Sequence, residues 1–229
     1  MFKTSRIGRC IQARSAWKVL NRPIYVPEND KEAIDLLIKG DVANLAALLT
    51  RRISLGSDSA AALLGYLEFM GAISGVSNLD AAIALCAGSA KRGHGYAQYV
   101  LSWAQWSRAE TAAGPLRWMK SSAADSKFLP AWVALAQMLS MSATSKQHVR
   151  TAVDCLWIAH KKGHAAALLL MCGIALRGSL GFAWRLAGAL AFPFCALRAI
   201  IFWKCHPFSD RSLLTVRNPK VPLFTSKHR

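Results

Sequence analysis

The sequence is short of acid. It holds 12 Asp and Glu against 29 Lys and Arg, for a formal net charge of +17 over 229 residues. Carboxylates this sparse give no sign of a catalytic carboxylate pair. The six cysteines, at 10, 86, 155, 172, 195 and 205, form no CxxC pair and no metal-ligand spacing. A disulfide framework belongs to short secreted chains, so a reducing compartment is the simpler expectation. No P-loop, GxGxxG, HExxH or GxSxG occurs. No β-branched run alternates with polar residues long enough to suggest a sheet. The N-terminus lacks the apolar stretch of a secretory signal.

What is present is apolar mass, 53% of residues, enough for a sizeable core and against wholesale disorder. The charge is uneven. Residues 1–27 hold six basic residues and no acid; residues 28–178 hold 15 basic and 11 acidic; residues 179–229 hold eight basic and one acidic, Asp210. Basic ends point to an anionic partner, either lipid headgroups or nucleic acid. The Arg-rich, acid-free segment 1–27 resembles a mitochondrial transit peptide, but a short basic helix or a frayed tail is the favoured reading. Pro23 and Pro27 read as a linker.

From Asp30 the pattern is helical. Ala33, Leu36 and Leu37, then Ala43, Leu45, Leu48 and Leu49, recur at three- and four-residue steps around Gly40. The whole middle reads as all-α. Its strongest signal is an internal repeat. Ala60, Ala97, Ala131 and Ala167 each precede a large apolar residue by four positions: Leu64, Leu101, Leu135 and Met171. A second small residue follows each, at Gly65, Ser102, Ala136 and Cys172. Between these copies the pattern predicts helices near 80–92, 115–126 and 150–162. Gly93 and Gly163 fall where a helix end favours a left-handed residue, and the basic pairs before them suit the negative end of the helix dipole. Two helices and two turns need about 35 residues, and such pairs stack to bury what one pair cannot.

Gly93-His-Gly-Tyr-Ala-Gln-Tyr-Val-Leu-Ser102 resembles the signature of Sel-one-like repeats, α/α repeats of the tetratricopeptide-like superfamily. Gly163-His-Ala-Ala-Ala-Leu-Leu-Leu-Met-Cys172 is a second copy. Ala60 through Tyr66 keeps the end of the pattern, and Gly75-Val76 matches its loop. The copy at Ala131 has Lys127 where the turn glycine belongs. The resemblance covers 54–178. It implies an α/α solenoid and an adaptor without catalytic residues or cofactor, of the kind used in signalling and in bacterial envelope or exopolysaccharide assembly. A protein partner would sit in the solenoid groove.

Residues 179–205 form a hydrophobic helical segment. A span needs about 20 apolar residues. Here the uninterrupted stretch Leu186–Leu197 has 12, and Pro193 divides it, so two short helices, 179–192 and 194–205, are expected. Trp184, Phe192, Phe194, Phe202 and Trp203 suit a membrane interface, and Arg185, Arg198 and Lys204 can reach anionic headgroups. The other reading is that the segment caps the end of the solenoid. The tail 206–229, with Pro207, Pro219, Pro222 and five basic residues, reads as extended. Peripheral attachment at the cytoplasmic face of the inner membrane follows, with a mitochondrial location as the alternative. His94 and His164, each after a turn glycine, read as turn residues. The repeat-helix tryptophans, at 103, 106, 118, 132 and 157, read mostly as packing, with one or two as binding anchors.

Overall fold

A computed structural model describes residues 31–108, 113–124, 128–142, 146–164, 167–177 and 180–205; at 38, 199 and 202–205 it describes the backbone alone. The segments 1–27 and 206–229 lie outside the described residues. The described residues form ten α-helices and no strand. In chain order these are α1 (Lys31–Lys39), α2 (Val42–Ser54), α3 (Asp58–Met70), α4 (Leu79–Lys91) and α5 (Gly95–Ser107). There follow α6 (Ala113–Ala124), α7 (Leu129–Met141), α8 (Lys146–Lys161), α9 (Ala167–Leu176) and α10 (Phe182–Cys205).

Each helix packs on the next, and α3 also packs on α5. The helices alternate in character. In α3, α5 and α7, nine of 13 residues are buried, on all sides of the helix. Such helices need cover on more than one face. The helices between them bury a single stripe: Ala82, Cys86, Ser89 and Ala90 in α4, and Pro115, Met119, Ser122 and Ala123 in α6. The spacing within those two stripes is the same. In α8 the stripe is Val149, Ala152, Cys155, Leu156 and Ala159. One apolar core therefore runs along the chain from Ala33 to Ile174.

The small-residue rows sit at the close contacts. Ala60, Ala97, Ala131 and Ala167 are all buried; the first three each lie three residues past the position preceding their helix, and Ala167 opens α9. Leu64, Leu101 and Leu135 are buried and Met171 is half-buried. A Cβ added to Gly65 would lie 2.5 Å from Cys86 Sγ, so α3 and α4 meet too closely for any larger residue there. At the matching position of α5, the Ser102 hydroxyl donates to Pro115 O of α6 at 2.6 Å. Tyr66, Tyr96 and Phe128 stack side by side, with centroids 6.0 and 5.5 Å apart, and so join α3, α5 and the start of α7.

The turns into α3, α5 and α9 repeat their hydrogen bonds. Gly56 N–H donates to Ile53 O and Ser57 N–H to Arg52 O. Gly93 and His94 donate to Ala90 O and Ser89 O, and Gly163 and His164 to His160 O and Ala159 O, in the same pattern. Gly93 and Gly163 both have φ of 89°, a left-handed backbone that favours glycine. Arg92 does more than complement the helix dipole: with Ser89 it bonds Asp58 at the start of α3.

The C-terminal segment is one helix, not two. Helix α10 runs through Pro193. Proline removes one intrahelical bond and crowds the carbonyl four residues back, here that of Ala189. Ala189 and Pro193 are both exposed, so water can satisfy that carbonyl. The segment docks on α9 through small residues. A Cβ on Gly188 would come within 3.0 Å of Ala175 Cβ and 3.1 Å of Cys172 O.

Candidate functional site

No group of three or more His, Cys, Asp or Glu among the described residues is placed to hold a metal ion. His94 and His164 sit in the turns as expected, and His94 also has a structural task. Its Nδ1 accepts from Ala97 N–H at 3.3 Å and caps α5, while Nε2 lies 3.1 Å from Ser59 Oγ of α3. Burial pushes the His94 imidazole below its ordinary value, and Asp58 opposes this.

A cleft of about 570 Å³ opens where α4 ends and α5 and α6 meet. Lys91, Gly93, Gln98, Arg117, Trp118 and Ser121 line it, and no carboxylate does. Gln98 Nε2 donates to Ala90 O at 3.1 Å and fixes its floor. Neither Lys91 nor Arg117 enters an ion pair among the described residues. Three acids are engaged elsewhere: Asp58 with Arg92, Asp80 with Arg108, Glu32 with Arg52. Two free cations beside a half-buried indole can accept a carboxylate or phosphate carried on an apolar or aromatic group. Sequence reasoning missed this cleft because its cations come from different helices. Trp118, taken there with the packing residues, lines it.

The other surface is α10. Of 14 exposed large apolar side chains among the described residues, nine lie on this helix. Phe182, Leu186, Leu190, Phe194, Leu197 and Ile201 recur at three- and four-residue steps, so they share a face. Phe182 is 80% exposed, Leu190 68% and Phe194 77%. Gly188, Ala191 and Cys195 lie on the opposite face and are buried or half-buried. At about 100° per residue, Arg185 and Arg198 fall on the two flanks of the apolar stripe. Both are exposed. Arg198 also lies near His160 of α8; burial first, and this arginine second, push His160 below its ordinary value. Trp184 and Phe192 are exposed beside the stripe. Phe202, Trp203 and Lys204 continue the helix, but their side chains lie outside the described residues. No helix among the described residues is long and apolar enough to cross a membrane.

Two further findings concern sulfur and indole groups. Cys172 of α9 and Cys195 of α10 bring their sulfurs to 3.9 Å, a juxtaposition that sequence spacing did not reveal. Trp103 is buried in the core, whereas Trp157 is 45% exposed with Lys161 Nζ 5.5 Å from its ring. Comparison with family models, with curated proteins and with solved structures gives no match to this chain.

Proposed function

We propose that the chain is a non-enzymatic adaptor, peripheral to an anionic membrane, whose helix pairs stack as a solenoid of Sel-one-like, tetratricopeptide-like repeats. The observation that carries the membrane half is the outward stripe of α10, six large apolar side chains flanked by Arg185 and Arg198. A helix used only to cap the solenoid would turn its large residues inward. Helix α10 does the reverse: its small residues meet α9 and its large ones face out. That is the arrangement of a helix lying in a headgroup layer, with arginine stems reaching along the apolar surface to lipid phosphates. The repeats supply the second half. The cleft at Lys91, Arg117 and Trp118 suits an acidic or C-terminal segment of a protein partner. Its size admits a few residues, not a nucleic-acid duplex. An accessory role in bacterial envelope or exopolysaccharide assembly is the setting that the repeat resemblance suggests.

The test is co-sedimentation of the full-length protein with vesicles of phosphatidylglycerol and phosphatidylcholine, against phosphatidylcholine alone. Each arginine near an anionic surface contributes about 1 kcal/mol. Losing Arg185 and Arg198 therefore weakens binding about 30-fold, and Arg185→Glu with Arg198→Glu adds repulsion. Binding to neutral vesicles should change little. Part of the binding should survive a high-salt wash because apolar burial is not screened. Equal, weak pelleting of wild type and variant with both vesicles would leave α10 as a cap and the chain as an adaptor without a membrane role. Complete loss in salt, with retention of RNA or DNA, would favour a nucleic-acid binder. Point variants are preferable to truncation here: α9 is apolar on every side, and removing 180–229 would strip the cover that α10 gives it.

A further inference from the structure

We propose that Cys172 and Cys195 are a redox-reactive pair that forms a disulfide and clips α10 to α9. The inference stands apart from any membrane role. The two sulfurs face each other across the helix interface at 3.9 Å. Gly188, two turns before Cys195 on the same face of α10, lets the backbones approach, since a Cβ there would already sit 3.1 Å from Cys172 O. Closing to the bonded distance of about 2.05 Å needs side-chain rotation and a small shift of helices packed through alanine and glycine. The other thiols offer no such pairing among the described residues: Cys86 and Cys155 are buried in α4 and α8.

The two thiols differ in access, which sets the order of events. Cys172 is 8% exposed, and burial first and Cys195 second push its thiol up to about 11. Cys195 is half-buried and meets solvent. With a small-molecule disulfide such as oxidised glutathione as oxidant, the Cys195 thiolate attacks one of its sulfurs. That S–S bond breaks and one glutathione leaves as a thiol. Cys172 then gives up its proton and attacks Cys195 Sγ in the mixed disulfide. The second glutathione leaves as a thiol, and the protein S–S bond forms. Two protein thiols are oxidised by two electrons, and one glutathione disulfide is reduced to two thiols.

The experiment treats the folded full-length protein with oxidised glutathione, blocks free thiols with iodoacetamide and maps peptides without reduction. The expected result is a Cys172–Cys195 cross-linked peptide, with loss of two hydrogens and complete reversal by dithiothreitol. Two variants test the order. Cys172→Ser should trap a stable glutathione adduct on Cys195, and Cys195→Ser should leave Cys172 unmodified. The proposal is overturned if both sites of the wild type remain free. It is equally overturned if the adduct on Cys195 persists in the wild type, or if Cys195 pairs instead with Cys10 or Cys205.

Discussion

His94 Nε2 and Ser59 Oγ meet at 3.1 Å, tying the first turn of α3 to the cap of α5. Because Nδ1 accepts from Ala97 N–H, the ring proton belongs on Nε2, which donates to Ser59. An imidazolium has no acceptor nitrogen and cannot cap.

Acidification should therefore loosen the chain before its carboxylates titrate. Burial holds the folded-state His94 below its unfolded value near 6.5. Stability is complete above that value, falls as pH drops below it, and levels off beneath the folded value. His160 is shifted the same way, so it contributes to the same limb. Urea midpoints measured between pH 7.5 and pH 5 should decline for the wild type. His94→Asn, which keeps a capping oxygen and removes the titration, should flatten the decline. An unchanged slope would mean that the imidazole does not cap. His94→Ala should cost about 1 kcal/mol at neutral pH.

Asp58 governs a second, more acidic limb. The bond from Arg92, and after it the bond from Ser89, holds its carboxyl below the ordinary value near 3.8. Its contribution is present above the unfolded value and is lost as pH falls through the folded one. Asp58→Asn should remove that loss in acid titrations followed by circular dichroism. Asp58→Ala leaves the buried Ser89 hydroxyl without its acceptor and should cost about 1 to 3 kcal/mol at neutral pH.

Gly65→Ala should destabilise by about 1 to 3 kcal/mol, because the new methyl meets Cys86 Sγ inside a filled interface. Cys86→Ala removes the obstructing atom. In a double-mutant cycle the pair should show favourable coupling above about 0.5 kcal/mol. Additive costs would place the strain elsewhere. Ala97→Leu, at the wholly buried alanine of α5 that matches Ala60 of α3, should overpack and cost a similar amount.

Most of the helical layout was readable from residue spacing. Alanine and leucine four apart share a helix face, and alanines recurring about every 35 residues mark successive helix pairs. The expected helices near 80–92, 115–126 and 150–162 appear as Leu79–Lys91, Ala113–Ala124 and Lys146–Lys161. The reading failed where a rule is local and the outcome is tertiary. Pro193 signals a break, yet α10 continues, because an exposed proline costs one carbonyl its partner while the α9 contact holds the helix on both sides. His94 is a cap although histidine is not among the residues that sequence rules favour there. Cys172 and Cys195 are 23 residues apart, and only the docking of α10 makes them neighbours. The cleft was equally hidden, since Lys91 and Arg117 converge only when α4 and α6 lie on one helix, α5.

The extensive contacts join each helix to the next, or α3 to the next but one. Few distant loops must close before packing begins, so the chain has low contact order and should fold quickly. During synthesis each helix finds its neighbour already made, and α10 docks last, on α9. Docking leaves nine large apolar side chains of α10 uncovered, the largest such group among the described residues. Folding is therefore quick but does not hide that face, and it remains the place where the folded molecule is most open to self-association.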